Sequence, residues 1–129
     1  MQAVDTNIIV RYLVGDDQAQ AQKAHDIIGH HPVFISRTVL LETEWVLRGV
    51  YDLPAKQIIP ALRALLGLPG VVTEDPRFVA RALEWAETGM DFADTLHLAA
   101  TPKGADFLTF DQKFARAATS RTNVPVTVP

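Results

Sequence analysis

Short apolar runs alternate with helical patterns along the whole chain, and this alternation narrows the possible folds more than any other property. The runs are a minimal one from Gln2 to Asp5, then Val33-Phe34-Ile35, Val71-Val72-Thr73 and Asp106 to Thr109, with a short edge candidate from Val124 to Val128 that carries Pro125. Between them, apolar residues recur at helical spacing, as in Ile8, Ile9, Tyr12 and Leu13. Thr6 or Asp5, Ser36 and Asp91 are helix-capping residues in the right places, and Asp75-Pro76 reads as a cap followed by proline at the first helical position. A helix opened by Asp52-Leu53-Pro54 contains Pro60, which predicts a kink or a late start. Strands separated by helices form βαβ units with a parallel sheet. The expected class is α/β. With no repeat, linker or low-complexity tract, residues 1–129 read as a single domain.

Four acids stand out against this frame: Asp5, Glu42, Asp94 and Asp111. Each follows or interrupts an apolar segment, where a charge is costly unless something pairs with it. Asp5 and Asp111 lie just past the first and fourth runs, with a helical pattern starting at each. In parallel α/β sheets the carboxyl ends of the strands share one edge, where ligands bind. If Glu42 and Asp94 lie on helices that start at that edge, four carboxylates converge there. A hard divalent cation is the natural counter-charge.

Composition leaves this reading open and closes several others. There is no cysteine, so disulfides and thiolate metal sites are excluded and oxygen and imidazole remain as ligands. No apolar run is long enough for a membrane span and no basic-then-apolar leader opens the sequence, so a cytoplasmic protein is expected. The net charge of −3 argues against a broad basic face for nucleic acid. Setting the four acids aside leaves the remainder at +1, which still permits a local RNA groove.

Glu42 carries the most information of the four. Its neighbours at three and four residues, Thr38, Val39, Trp45 and Val46, include no cation. Glu44, by contrast, has Arg48 four residues on and reads as a surface ion pair. A solvated helix edge is the bland alternative for Glu42. Asp94 could be the third helical residue of a capping arrangement begun by Asp91, and Asp5 and Asp111 could each be N-caps and nothing more. Asn7, Arg11, Thr109, Lys113 and Arg116 are candidates for holding substrate near the acids, against ordinary capping or solvated-charge roles. His97 either touches substrate or packs. His25, His30 and His31 read as surface, and Trp45, Trp85 and Phe92 as core aromatics.

With these residues in place, the chain resembles the PIN-domain nucleases and, among them, the VapC-type toxins of bacterial toxin–antitoxin pairs. The likeness runs through D-T-N-I-I-V-R-Y-L, the following D-D-Q, V-F-I-S-R-T-V-L-L-E-T-E-W-V-L-R-G-V-Y, D-F-A-D-T-L-H-L-A-A and F-L-T-F-D-Q-K-F-A. Five motifs in the right order and spacing are specific where any one alone is weak. The resemblance implies that Asp5, Glu42, Asp94 and Asp111 are the family's acidic quartet, Asp111 being the member whose role varies most. It implies a three-layer α/β/α sandwich around a central parallel sheet. It also implies Mg²⁺ or Mn²⁺ dependence, endonuclease action on RNA, a small cognate antitoxin laid across the active site, and a homodimer. The sequence departs from the pattern at T-P-K-G-A-D after the Asp94 helix and at Pro60, both away from the acids.

Crowded carboxylates raise one another's pKa, and one or two divalent ions would relieve that repulsion, bridge to the phosphate and supply a nucleophile from water near neutral pH. Asp5 and Asp94 are the expected direct ligands, Glu42 a ligand or proton acceptor, and Asp111 support for a second metal position. Other readings are a PIN nuclease of RNA processing without an antitoxin, a non-catalytic PIN-fold binding module, and a receiver-like phosphoacceptor. The last needs an acidic pair after the first strand, where this chain has one aspartate.

Overall fold

Val33 and Ile35 are fully buried, and the strand they define, Val33–Ile35 (β2), lies at the centre of a three-stranded sheet. In the computed structural model, which describes residues 1–129, Gln2–Ala3 (β1) pairs with β2 in parallel, Gln2 opposite Val33. Val71–Thr73 (β3) pairs on the other side, again in parallel, Val33 opposite Val71. Parallel neighbours need crossovers, and helices supply them. Thr6–Val14 (α1) and Gln18–His30 (α2) connect β1 to β2, and Arg37–Gly49 (α3) and Ala55–Leu66 (α4) connect β2 to β3.

These elements make the first of two compact units, Met1–Pro76; the second is Arg77–Pro129. The second holds most of Pro76–Glu87 (α5), then Phe92–Ala99 (α6), Phe107–Leu108 (β4), Gln112–Arg121 (α7) and Val126–Thr127 (β5). β4 and β5 pair in parallel through α7, with Phe107 opposite Val126. Pro125 sits beside this ladder at no cost, because its carbonyl accepts from Phe107 N at 2.8 Å and no N–H is asked of it. Parallel pairing holds throughout, divided between a three-stranded and a two-stranded sheet. The seven helices and all-parallel strands make the chain helix-rich α/β.

Several local expectations need correction. α4 runs from Ala55 through Pro60 to Leu66, so Pro60 does not delay its start. Asp75 takes a left-handed backbone, φ 47°, and its carboxylate faces Arg37 at 3.4 Å rather than capping α5. Trp45 is 61% exposed, whereas Trp85 and Phe92 are buried as expected. Glu44, expected at the surface, is buried at 5%, though its pairing with Arg48 holds at 3.0 Å. One cause explains both α3 errors. The buried face of that helix passes through Leu40, Thr43, Glu44 and Leu47, and at 3.6 residues per turn this turns Glu42 and Trp45 outward.

Candidate active site

α1 and α3 both begin at the carboxyl end of their strands, and this brings Asp5 and Glu42 to one cavity in the first unit. Val4 N donates to Phe34 O at 3.2 Å, the last ladder bond before the chain turns into α1. Asp5 is the N-cap of that helix, its Oδ1 accepting from Thr6 N at 2.7 Å. Ser36 caps α3, accepting from Val39 N at 3.2 Å. Arg37 N donates to Glu74 Oε1 at 3.0 Å, which fastens the start of α3 to the end of β3. With both helix starts fixed, the Thr6 hydroxyl donates to Glu42 Oε1. Asp5, Thr6, Asn7, Arg11, Glu42 and Tyr51 are among the residues lining a cavity of about 310 Å³.

Glu42 is exposed and no ion pair neutralises it, so its carboxylate stays open to a ligand as well as to Thr6. Arg11 is committed elsewhere. Its guanidinium donates to Asp16 Oδ1 at 2.9 Å, Tyr51 OH at 3.0 Å and Gln20 Oε1 at 2.7 Å. Tyr51 in turn donates to Asp16 Oδ2 at 2.9 Å. That bond, with the Arg11 charge, holds the Asp16 carboxyl below the usual carboxylate range. The role expected of Arg11 against a substrate backbone therefore competes with three existing partners.

In the second unit a larger cavity, about 580 Å³, is lined by Asp91, Asp94, Asp111, Lys113, Arg116 and Arg121 among others. Asp91 caps α6, accepting from Asp94 N at 3.2 Å, and Asp111 caps α7, accepting from Phe114 N at 3.0 Å. Thr109 Oγ1 accepts from Asp111 N at 3.0 Å, so its hydroxyl fixes the turn that presents Asp111. Burial pushes the Asp94 carboxyl up, and the negative charge of Asp91 pushes the same way. His97 offsets part of this, and Asp111 adds to the rise. Lys113 and Arg116 are exposed and have no ion-pair partner.

A capping bond does not preclude a chemical role. A cap uses one lone pair of one carboxylate oxygen and leaves the other oxygen for a ligand. The donors are all oxygen, and the charged form of Asp94 is disfavoured first by burial and then by the neighbouring negative charge. Both features fit a hard divalent cation in kind. No three Asp, Glu or His side chains are grouped closely enough to hold a metal ion.

From its sequence position Thr6 has only a capping role, and its bond to Glu42 is added by the fold. The signal for Thr6 was a hydroxyl on the first helical turn of an otherwise apolar face. Among comparisons with known proteins, the family model described as PIN domain matches residues 3–120, across both compact units and all four acids. No curated protein matches the chain.

Proposed function

The chain belongs to the PIN domain family, and from that premise we propose that it is a metal-dependent endoribonuclease, the toxin of a toxin–antitoxin pair. The family is one of nucleases, in general dependent on divalent metal. The observation that carries the reading is that the family match runs from residue 3 to residue 120 and takes in Asp5, Glu42, Asp94 and Asp111. It also supports treating residues 1–129 as one PIN-like domain. The toxin assignment, the small antitoxin protein, the homodimer and a cytoplasmic setting rest on the likeness of the five motifs to VapC-type toxins. No helix is long and apolar enough to cross a membrane.

In this proposal Asp5 and Asp94 are the direct ligands of Mg²⁺, for which Mn²⁺ can substitute because oxygen donors suit both. The ion supplies charge neutralisation at the phosphate and makes water acidic enough to react near neutral pH. Glu42, oriented by the Thr6 hydroxyl, accepts the proton of the attacking water. Asp111 supports a second, weaker metal position. Lys113 and Arg116 carry charge complementary to the RNA backbone, and Asn7 and Thr109 contribute an amide and a hydroxyl beside the acids. Attack by water at phosphorus breaks the bond to the 3′ oxygen and leaves a 5′-phosphate and a 3′-hydroxyl.

Isothermal calorimetry with Mg²⁺ and Mn²⁺ tests the metal half of this proposal. Heat of binding in the wild type that disappears in Asp5→Ala and in Asp94→Ala is expected. Binding unchanged in both variants would contradict the ligand assignment.

A further inference from the structure

The segment T-P-K-G-A-D, Thr101 to Asp106, is where the sequence departs from the family pattern, and all but its last residue line a cavity. Ala105 N donates to Pro102 O at 3.0 Å, which closes a four-residue turn. Gly104, third in that turn, has φ 87°, a left-handed backbone that glycine adopts without strain. Lys103 is thereby carried at the second position of a fixed turn. The turn forms one wall of the cavity, about 590 Å³ within the second unit, and Phe78 and Arg81 of α5 form another. Asn123, Val124 and Pro125, just ahead of β5, complete it. Pro125 is fastened there by its carbonyl, which accepts from Phe107 N at 2.8 Å.

This cavity shares no lining residue with the one around Asp94 and Asp111. Ala105 and Pro125 precede β4 and β5, so the cavity lies at the amino edge of that parallel pair, whereas Asp111 follows β4. The ends of α6 are divided in the same way. Asp91 and Asp94 stand at its start, and Ala99 and Ala100, which line the cavity, stand at its end, eight helical residues or about 12 Å away. The charge is also reversed. Arg81 and Lys103 are exposed on a cavity that no carboxylate lines. Neither forms an ion pair, and the Arg81 guanidinium lies 5.8 Å from the centre of the Trp85 ring instead. Asp106, the acid next to the turn, accepts from the Thr127 hydroxyl at 2.7 Å.

Cavities of this size that bind small molecules combine apolar walls with a few polar groups that fix orientation. Two unpaired cations select an anion, and an arginine fork beside a lysine point charge suits phosphate oxygens. Phe78, 39% exposed, contributes an aromatic ring to the same cavity, and the Asn123 amide both donates and accepts, as the edge of a base requires. We propose that this cavity is a second ligand site, which takes a nucleoside monophosphate, with the phosphate on Arg81 and Lys103 and the base against Phe78. Neither the acids nor a metal takes part in this binding, so it stands whether or not the chain cuts RNA.

The test is calorimetric titration of the full chain in EDTA with AMP, GMP, CMP and UMP, beside the four nucleosides and inorganic phosphate. At least one nucleotide is expected to bind, and its nucleoside and inorganic phosphate to bind at least about tenfold more weakly. Arg81→Gln and Lys103→Gln are each expected to weaken the nucleotide about five- to a hundredfold. Phe78→Leu weakens it by a similar factor and leaves inorganic phosphate unchanged. The double variants Asp5→Ala/Asp94→Ala and Lys113→Gln/Arg116→Gln, which alter the other cavities, bind the nucleotide as the wild type does.

No binding of any of the four nucleotides at about millimolar concentration would overturn the proposal, as would equal binding by wild type and an Arg81→Gln/Lys103→Gln double variant. Loss of binding in either of the other two double variants would place the nucleotide elsewhere and overturn it too. Inorganic phosphate as tight as the nucleotides would leave an adventitious ion only. A short RNA without terminal phosphate that binds as tightly, and weakens in the same variants, would give the cavity to an RNA backbone instead. Unchanged thermal melting of Arg81→Gln and Lys103→Gln, expected at exposed positions, shows that lost binding is not lost fold.

Discussion

The hydroxyl of Thr6 donates to Oε1 of Glu42, joining the first turn of α1 to the middle of α3 across 36 residues of chain. Thr6 is 7% exposed whereas Glu42 faces solvent, so a fixed, buried donor orients a carboxylate that is otherwise free to rotate. If Glu42 takes a proton during catalysis, its orientation matters as much as its charge. Thr6→Val keeps the shape and deletes the donor. It is expected to cost about 1–2 kcal/mol of stability in urea titration. RNA cleavage is expected to fall about tenfold or more in kcat. Thr6→Ser restores both, and a Val variant as active as wild type would remove Glu42 from the proton path.

Glu44 and Arg48 give a prediction about the fold alone. The carboxylate is almost fully buried and accepts from Arg48 Nε at 3.0 Å, while Arg48 keeps half its side chain in water. The guanidinium satisfies a charge that the helix period has turned inward. Arg48→Met preserves the stem and strands the carboxylate. Unfolding by urea is expected to show a loss of about 2–4 kcal/mol, and Glu44→Gln in the same background recovers part of it.

Asp94 provides a pH dependence whose sign follows from its environment. Burial and the nearby Asp91 and Asp111 raise its pKa in the folded protein above the ordinary 3.8. A raised acid resists losing its proton on folding, so it opposes folding above its folded-state pKa, and this penalty is absent below about pH 3.8. Metal-free Asp94→Asn is therefore expected to melt higher than wild type at neutral pH, with the gain shrinking to nothing as pH falls through that range. Mg²⁺ is expected to raise the melting temperature of wild type and leave that of Asp94→Asn unchanged. A variant less stable than wild type at neutral pH in EDTA would show that the carboxylate is held by favourable partners after all.

How far the sequence foretold these features depends on the range of the interaction concerned. The strand at Val33–Ile35 and the helix from Pro76 to Glu87 were legible to the residue, because apolar runs, proline and glycine act locally. The capping roles of Asp5, Ser36, Asp91 and Asp111 were legible for the same reason. The face that α3 buries was not. Trp45 and Glu44 compete for it, and hydrophobicity alone awards it to tryptophan. The outcome is set by the register of Leu40, Thr43 and Leu47 against the rest of the first unit. The Thr6–Glu42 bond was hidden too, since nothing local to either residue names the other. The Arg11–Asp16–Tyr51 network was equally out of reach, because Tyr51 enters it from 40 residues away.

The central claim is that the acids of this PIN-family chain cut RNA with a divalent metal. The most direct test is cleavage of unstructured RNA by the purified chain in Mg²⁺, Mn²⁺ or EDTA, beside an Asp5→Ala/Asp94→Ala double variant. The account predicts cutting in either metal, none in EDTA, 5′-phosphate ends, and a rate in the double variant reduced at least about a thousandfold. Cutting that persists in EDTA or in the double variant would contradict it, as would a wild type that cuts no RNA in either metal.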